Sequence, residues 1–224
     1  MRWQRMMAWV LAGGVLLLVA AGVAIWTVNN VEQAAYRITS VDGAIEIRDY
    51  PAQIVAEVSR TGARVDAVSA GFGPLAAYIF ARERGGGTIP MTAPVTQRRE
   101  PIAMTAPVTQ TPAATPPAGS GAADAWVVRF VMPAKFTLES LPRPAGSEVA
   151  LRTLPAIRRA AIRFSGVATD QSIAEADARL RQWLSGKGLR VSGPPTYAYY
   201  NAPFTPGPLR RNEIWLDLEA APGA

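Results

Sequence analysis

Three observations predict an α+β domain built from two related halves. Short runs alternate apolar and polar residues, the period of half-buried strands. Two longer stretches carry apolar residues three or four apart, the period of a helix with one buried face. The order strands, helix, strands then occurs twice along the 224 residues. Such a pattern closes into an antiparallel sheet or barrel with two helices packed outside, and few strand–helix–strand crossovers of the parallel type are evident.

Element by element, Tyr36–Val41 and Ala44–Asp49 alternate around Asp42-Gly43, the chemistry of a tight hairpin. Pro51 breaks the run and Gln53–Val58 reads as a third strand. Val65, Val68, Phe72, Leu75 and Ile79 then mark one helix face, with a kink or fresh start expected at Pro74. Gly85-Gly86-Gly87 ends this helix. The Pro-, Ala- and Gly-rich stretch 111–124 has no apolar period and reads as a mobile loop. In the second half, Trp126–Met132 and Ile157–Phe164 read as strands. A helix follows from Asp170, its expected N-cap, to Ser185, with Gly186 and Lys187 as the stop. Ile173, Ala176, Leu180 and Trp183 or Leu184 form its buried stripe. Strands at Thr196–Tyr200 and Glu213–Glu219 complete the chain.

Met6–Val28 carries no charge and follows Arg2 and Arg5. At helical rise it is roughly 35 Å long, enough for one transmembrane crossing. Trp9 and Trp26 sit where indoles favour the interface, and the basic flank places the N-terminus in the cytoplasm. The run is longer than a cleaved signal's apolar core, which spans about 7–15 residues. The expected organisation is a signal-anchor over 1–29 and a domain over 30–224. The protein is then single-pass in the cytoplasmic (inner) membrane, with its C-terminal domain extracytoplasmic, in the periplasm.

Composition excludes several chemistries. The chain has no Cys and no His, hence no disulfide, thiolate ligand, imidazole ligand or His-based triad. The net charge is +6 and Lys135 and Lys187 are the only lysines, the other 21 of 23 basic residues being Arg. These charges are spread as pairs such as Arg98-Arg99 rather than as a stripe interleaved with aromatics, so nucleic-acid binding is not expected. No phosphate-cradling glycine loop, serine elbow or carboxylate set with metal-loop spacing occurs. Catalytic and metal residues are therefore expected to be none.

The heptapeptide Met91–Gln97 recurs at Met104–Gln110. Two copies joined by Arg98-Arg99-Glu100-Pro101 predict adjacent hairpin strands, with Pro94 and Pro107 at edges, bulges or strand ends. With Tyr36–Pro51, Phe72–Phe80, Val128–Pro133, Leu138–Pro142 and Tyr200–Glu213, this repeat resembles the SOUL, or haem-binding-protein, family over nearly all of Tyr36–Glu219. The resemblance implies a distorted antiparallel β-barrel flanked by two helices and a non-catalytic role in binding haem or another tetrapyrrole.

In this family the first helix and the loop before the last strand flank the pocket. On this sequence the resemblance places Phe72, Leu75, Ala76 and Ile79 on the helix side and Phe204, Pro206 and Leu209 on the loop side. Arg210 or Arg82 would pair with the propionates. With no histidine, iron could be met only by Met91 or Met104, by Tyr78, Tyr199 or Tyr200, or by nothing. Two other readings remain, an envelope scaffold with no small-molecule ligand and an enzyme modifying a tetrapyrrole. A groove filled by Phe72, Phe204 and Trp215 would favour the scaffold.

Overall fold

The computed structural model describes residues 31–99, 125–202 and 204–219. Met6–Val28, the loop 111–124 and the second heptapeptide lie outside them. Among the described residues no helix is long and apolar enough to cross a membrane. In chain order the elements are β1 (Glu32–Gln33), β2 (Arg37–Asp42), β3 (Ile45–Tyr50), β4 (Gln53–Thr61), α1 (Arg64–Ile79), β5 (Thr92–Ala93) and β6 (Val95–Arg99). There follow β7 (Ala125–Val131), β8 (Ala150–Leu154), β9 (Ile157–Ser165), α2 (Asp170–Gly186), β10 (Val191–Tyr199), a 3₁₀ turn (Gly207–Leu209) and β11 (Arg211–Leu218).

Nine strands form one sheet in the order β2-β3-β9-β11-β10-β6-β7-β4-β8, every pairing antiparallel. The α+β class with two helices stands, but the expected barrel does not. The ladder has two ends, β2 and β8, which do not pair with each other. The hairpin of twin heptapeptides also fails for the first copy, because β6 pairs with β10 on one side and β7 on the other. Pro94 ends β5 and precedes β6, as a residue without an N–H should.

The two halves are real. Without β2 the sheet order is a palindrome about the β6–β10 pair, exchanging β3 with β8, β4 with β9, β6 with β10 and β7 with β11. Pro51-Ala52 matches Pro155-Ala156, and Gly62 (φ 110°) matches Gly166 (φ 100°) at the same spacing. Between them, Val55–Val58 and Arg159–Ile162 are the buried stretches of β4 and β9. Each half lends its first strand to the other, since β3 pairs with β9 and β8 with β4.

Each helix covers its own half. α1 packs on Ala56 and Val58 of β4 and on Val128 and Phe130 of β7 through Leu75, Tyr78 and Ile79. α2 packs on β3, β9 and β11 through Ile173, Ala176, Leu180 and Leu184, with Trp183 at the margin. Its N-cap is Thr169, whose Oγ1 accepts from the Ser172 amide at 3.1 Å, one residue before the expected Asp170. α1 runs unbroken through Pro74. The carbonyl that Pro74 leaves without a helical donor is that of Ala70, and Arg60 Nε donates to it at 3.3 Å. Gly71 permits close approach to the sheet, since a Cβ there would sit 2.7 Å from Val128 Cγ2.

The sheet face away from the helices carries an ionic cluster around Glu213, whose side chain is fully buried. Arg48 donates Nη1 to Oε2 at 2.6 Å and Nη2 to Oε1 at 3.0 Å. Tyr200 Oη and Trp215 Nε1 donate to Oε2 at 2.9 and 2.7 Å, and Arg211 Nη2 to Oε1 at 2.6 Å. Burial alone would raise this carboxyl, but the guanidiniums of Arg48 and Arg211 and the Trp215 donor bring it down to about 2. Burial pushes the Tyr50 phenol beside it up to about 12. A second cluster joins Arg159 and Arg98 to Asp217 at 2.8 and 2.5 Å.

Two predictions follow from this packing. Gly71→Ala should lower unfolding free energy by about 1–3 kcal/mol through overpacking against Val128, read by urea denaturation. Glu213 titrates below its ordinary 4.5, so its contribution is present above pH 4.5 and lost as pH falls towards about 2. A Glu213→Gln variant should be less stable at pH 7 by about 3 kcal/mol. Its stability should also fall less than that of the parent across that acid window, measured by denaturation at stepped pH.

Candidate functional site

The pseudo-twofold axis passes between β6 and β10, where neither helix sits squarely over the sheet. Here register assembles residues distant in sequence. Phe130 of β7 stands opposite Val95 of β6, Val95 opposite Tyr199 of β10, and Tyr199 opposite Asn212 of β11. Three inter-strand steps make this row about 14 Å wide. Phe130 is buried, while Val95 and Tyr199 are half-buried, forming a floor between the helices.

One wall is α1. Phe72 lies edge-on to Phe130 with ring centroids 5.3 Å apart and keeps 36% of its surface exposed. Leu75 and Ile79 are wholly within the core beneath α1 and Ala76 is nearly so, leaving Phe72 the helix-side residue that presents surface. The 204–210 loop, which the family resemblance sets on the other side, is tied to the end of β9 by the Gly166 amide donating to the Gly207 carbonyl at 3.1 Å. Phe204 and Leu209 are about two-thirds exposed, at 65% and 66%, and Pro206 is exposed. Arg210 Nε donates to the Thr205 carbonyl at 2.7 Å and so helps fix this loop.

Arg64, at the start of α1, bridges the helices. Its Nη1 donates to Tyr199 Oη at 2.8 Å, its Nη2 to the Ala168 carbonyl at 3.0 Å, and its Nε to Asp170 Oδ1 at 2.8 Å. The Asp170 side chain is largely open to solvent. Burial pushes the Tyr199 phenol up while the neighbouring guanidinium opposes it, so the hydroxyl stays protonated at neutral pH. Gln97 Nε2 donates to the Arg64 carbonyl at 2.8 Å, fixing the helix start over β6.

Arg82 follows the C-terminus of α1, a helix about 24 Å long, and its guanidinium lies 5.9 Å from the Phe80 ring. It therefore occupies the opposite end of α1 from Arg64, and the structure does not bring it together with Arg210. Trp215 lies on the other sheet face within the Glu213 cluster, so it does not fill the groove. The second family copy of methionine, Met104, lies outside the described residues. Arg64, Val95 and Phe130 were not singled out as groove residues by sequence reasoning. Only the strand register brings them together.

A separate cleft of about 240 Å³ lies between β1, the Pro51–Ile54 bend and Met132–Phe136. It is smaller than the roughly 300–1,000 Å³ typical of small-molecule pockets. Among the described residues no group of three or more acidic side chains is placed to hold a metal ion.

The comparisons identify the fold and the family. The EcmrR C-terminal domain is similar in fold, with 14% identity, a TM-score of 0.53, and coverage of 83% of this chain and 99% of that one. A Listeria innocua structure described as a hydrolase gives 13% identity, a TM-score of 0.52, and coverage of 81% and 94%. An uncharacterized conserved protein from Listeria innocua gives 14%, 0.51, and 78% and 92%. These likenesses show a shared fold alone. No curated protein matches the chain by sequence. Residues 31–217 match the SOUL heme-binding protein family, and the chain belongs to it.

Proposed function

We propose that the chain is a membrane-anchored, non-catalytic binding protein for haem or a related tetrapyrrole, held by Met6–Val28 with its domain on the periplasmic side. The observation that carries this reading is the Phe130–Val95–Tyr199 row beside Phe72, for which this reading takes the 204–209 loop as the second wall. A flat macrocycle needs an apolar surface of this breadth and a few cations at its rim. Phe72, Phe204, Pro206 and Leu209 supply the apolar contacts in this reading. Leu75, Ala76 and Ile79 support Phe72 from behind rather than touching the ligand.

Propionates need charge-assisted donors, and the rim offers Arg64, whose partner Asp170 is solvent-exposed and replaceable by another carboxylate. Arg210 contributes by holding the loop. Haem bound here would supply its own redox and ligand chemistry, while the chain provides the slot and the carboxylate partner. With no imidazole or thiolate in the sequence, the ring faces rather than the iron supply the affinity. The exposed Phe204 and Leu209 favour this reading over a scaffold with a filled groove.

A haemin titration of residues 30–224, followed by the Soret band and Trp quenching, tests it. Saturable one-to-one binding is expected, weakened about tenfold in a Phe72→Ala/Leu209→Ala variant. Iron-free protoporphyrin should bind within about threefold of haemin. Linear, non-saturating uptake equal in both proteins would instead signify adsorption and a scaffold role. A strong preference for haemin would point to an iron ligand among the tyrosines and methionines.

A further inference from the structure

The two ends of the sheet are unlike. β8 carries Arg152 at its centre, paired to Glu57, and Pro155 follows it, features that discourage another strand from adding. Among the described residues, β2 has no counterpart in the second half, pairs only with β3, and is exposed at all six positions. Its interior is uncharged and its charges stand only at the ends, Arg37 and Asp42.

The sequence Arg37-Ile-Thr-Ser-Val-Asp42 is complementary to its own reverse. Laid antiparallel on a second copy, Arg37 faces Asp42, Ile38 faces Val41 and Thr39 faces Ser40. A β-bulge between Ile38 and Ser40 matters here. It puts Ile38 opposite Arg48 and Val41 opposite Glu46, so both apolar side chains lie on the face away from the helices. They are 46% and 62% exposed. Thr39 Oγ1 turns back to donate to the Ile47 carbonyl at 3.2 Å. Arg37 and Asp42 lie on the helix-side face, where Arg37 contacts Asp49 at 2.9 Å and Asp42 accepts from Trp183 Nε1 at 2.8 Å. The Arg37 side chain nevertheless stays 78% exposed.

We propose that β2 is a self-recognition edge, through which two copies of this chain join antiparallel about a twofold axis into one continuous sheet. The pairing buries two Ile–Val contacts on one face and makes two Arg–Asp pairs on the other. Because each charge meets its opposite only in this register, a one-residue slip sets apolar against charged side chains and moves them to the wrong face.

The test uses the full chain in detergent micelles, with association measured by sedimentation over a concentration series. Arg37→Asp and Asp42→Arg should each weaken dimerisation about tenfold, since each replaces two attractive pairs with repulsive ones. The Arg37→Asp/Asp42→Arg double variant should restore it, because the exchanged charges again face each other, and circular dichroism should show every variant folded. An Ile38→Cys/Val41→Cys variant, in a chain with no cysteine of its own, should oxidise to a covalent dimer. A monomer at every concentration would overturn the proposal. So would a dimer indifferent to charge reversal, or a double variant that stays as weak as the singles.

Discussion

The bidentate bond between Arg48 and Glu213 joins residues 165 positions apart, and the arrangement of the halves depends on it. Arg48 belongs to β3, the strand that the first half lends to the second, and Glu213 to β11 of the second half. A buried ion pair is a poor source of net stability, because desolvation consumes most of the Coulomb gain. Its value here is register. Glu213 receives donors from Arg48, Tyr200, Trp215 and Arg211 at once. Displacing β3 by one residue would take the bidentate partner from this carboxylate and turn the core residues Ile45 and Ile47 to the ionic face.

The pseudo-twofold axis makes the specialisation of the halves visible. Arg152 of β8 occupies the position equivalent to Arg48, and it too crosses to a carboxylate of the other half's strand, Glu57. By register, Glu213 and Asp217 correspond to Val127 and Val131. One duplicated framework thus carries the larger ionic cluster, around Glu213 and Asp217, in one half and a smaller one, Glu57 with Arg129 and Arg152 beside Val127 and Val131, in the other. Inside each half the helix-facing positions stay alike: Ala56 and Ala160, Val58 and Ile162, Val128 and Ile214, all buried.

Much of this was legible in the sequence because it depends on local patterns. Both helices, the hairpin of β2 and β3 and most strands follow from apolar period and turn residues, and the order of elements disclosed the halves. The turn came one residue later than read, at Gly43-Ala44, a shift within the tolerance of turn signals. β8 escaped notice because its five residues hold too short a pattern. Pro74 suggested a break, but long-range donation from Arg60 removed its cost. The barrel and the heptapeptide hairpin failed because sheet closure and strand neighbours depend on pairings between distant segments. For the same reason, the sequence pointed to Phe72 and the 204–209 loop through the family resemblance but did not disclose the Phe130–Val95–Tyr199 row.

The ionic cluster also sets the character of the sheet face away from the helices. On the face away from the helices, Val31 and Tyr36 pack over Tyr50, Tyr200 and Trp215, and Tyr36 lies 4.4 Å from the Arg48 guanidinium. The carboxylate there already receives several donors, so an incoming cation would have to break existing pairs at a desolvation cost of several kcal/mol. On the helix side, half-exposed Phe72 stands against Phe130 beside the half-buried Val95 and Tyr199, and the anchoring bonds of Arg64 and Arg210 run largely to backbone carbonyls and a solvent-exposed carboxylate. Under the proposed function a ligand carboxylate there would take the place of Asp170, which is open to solvent, on an Arg64 side chain that is itself only 9% exposed. The two faces thus differ in kind: one is closed by ions paired among themselves, the other leaves Phe72 and the Val95–Tyr199 row partly exposed.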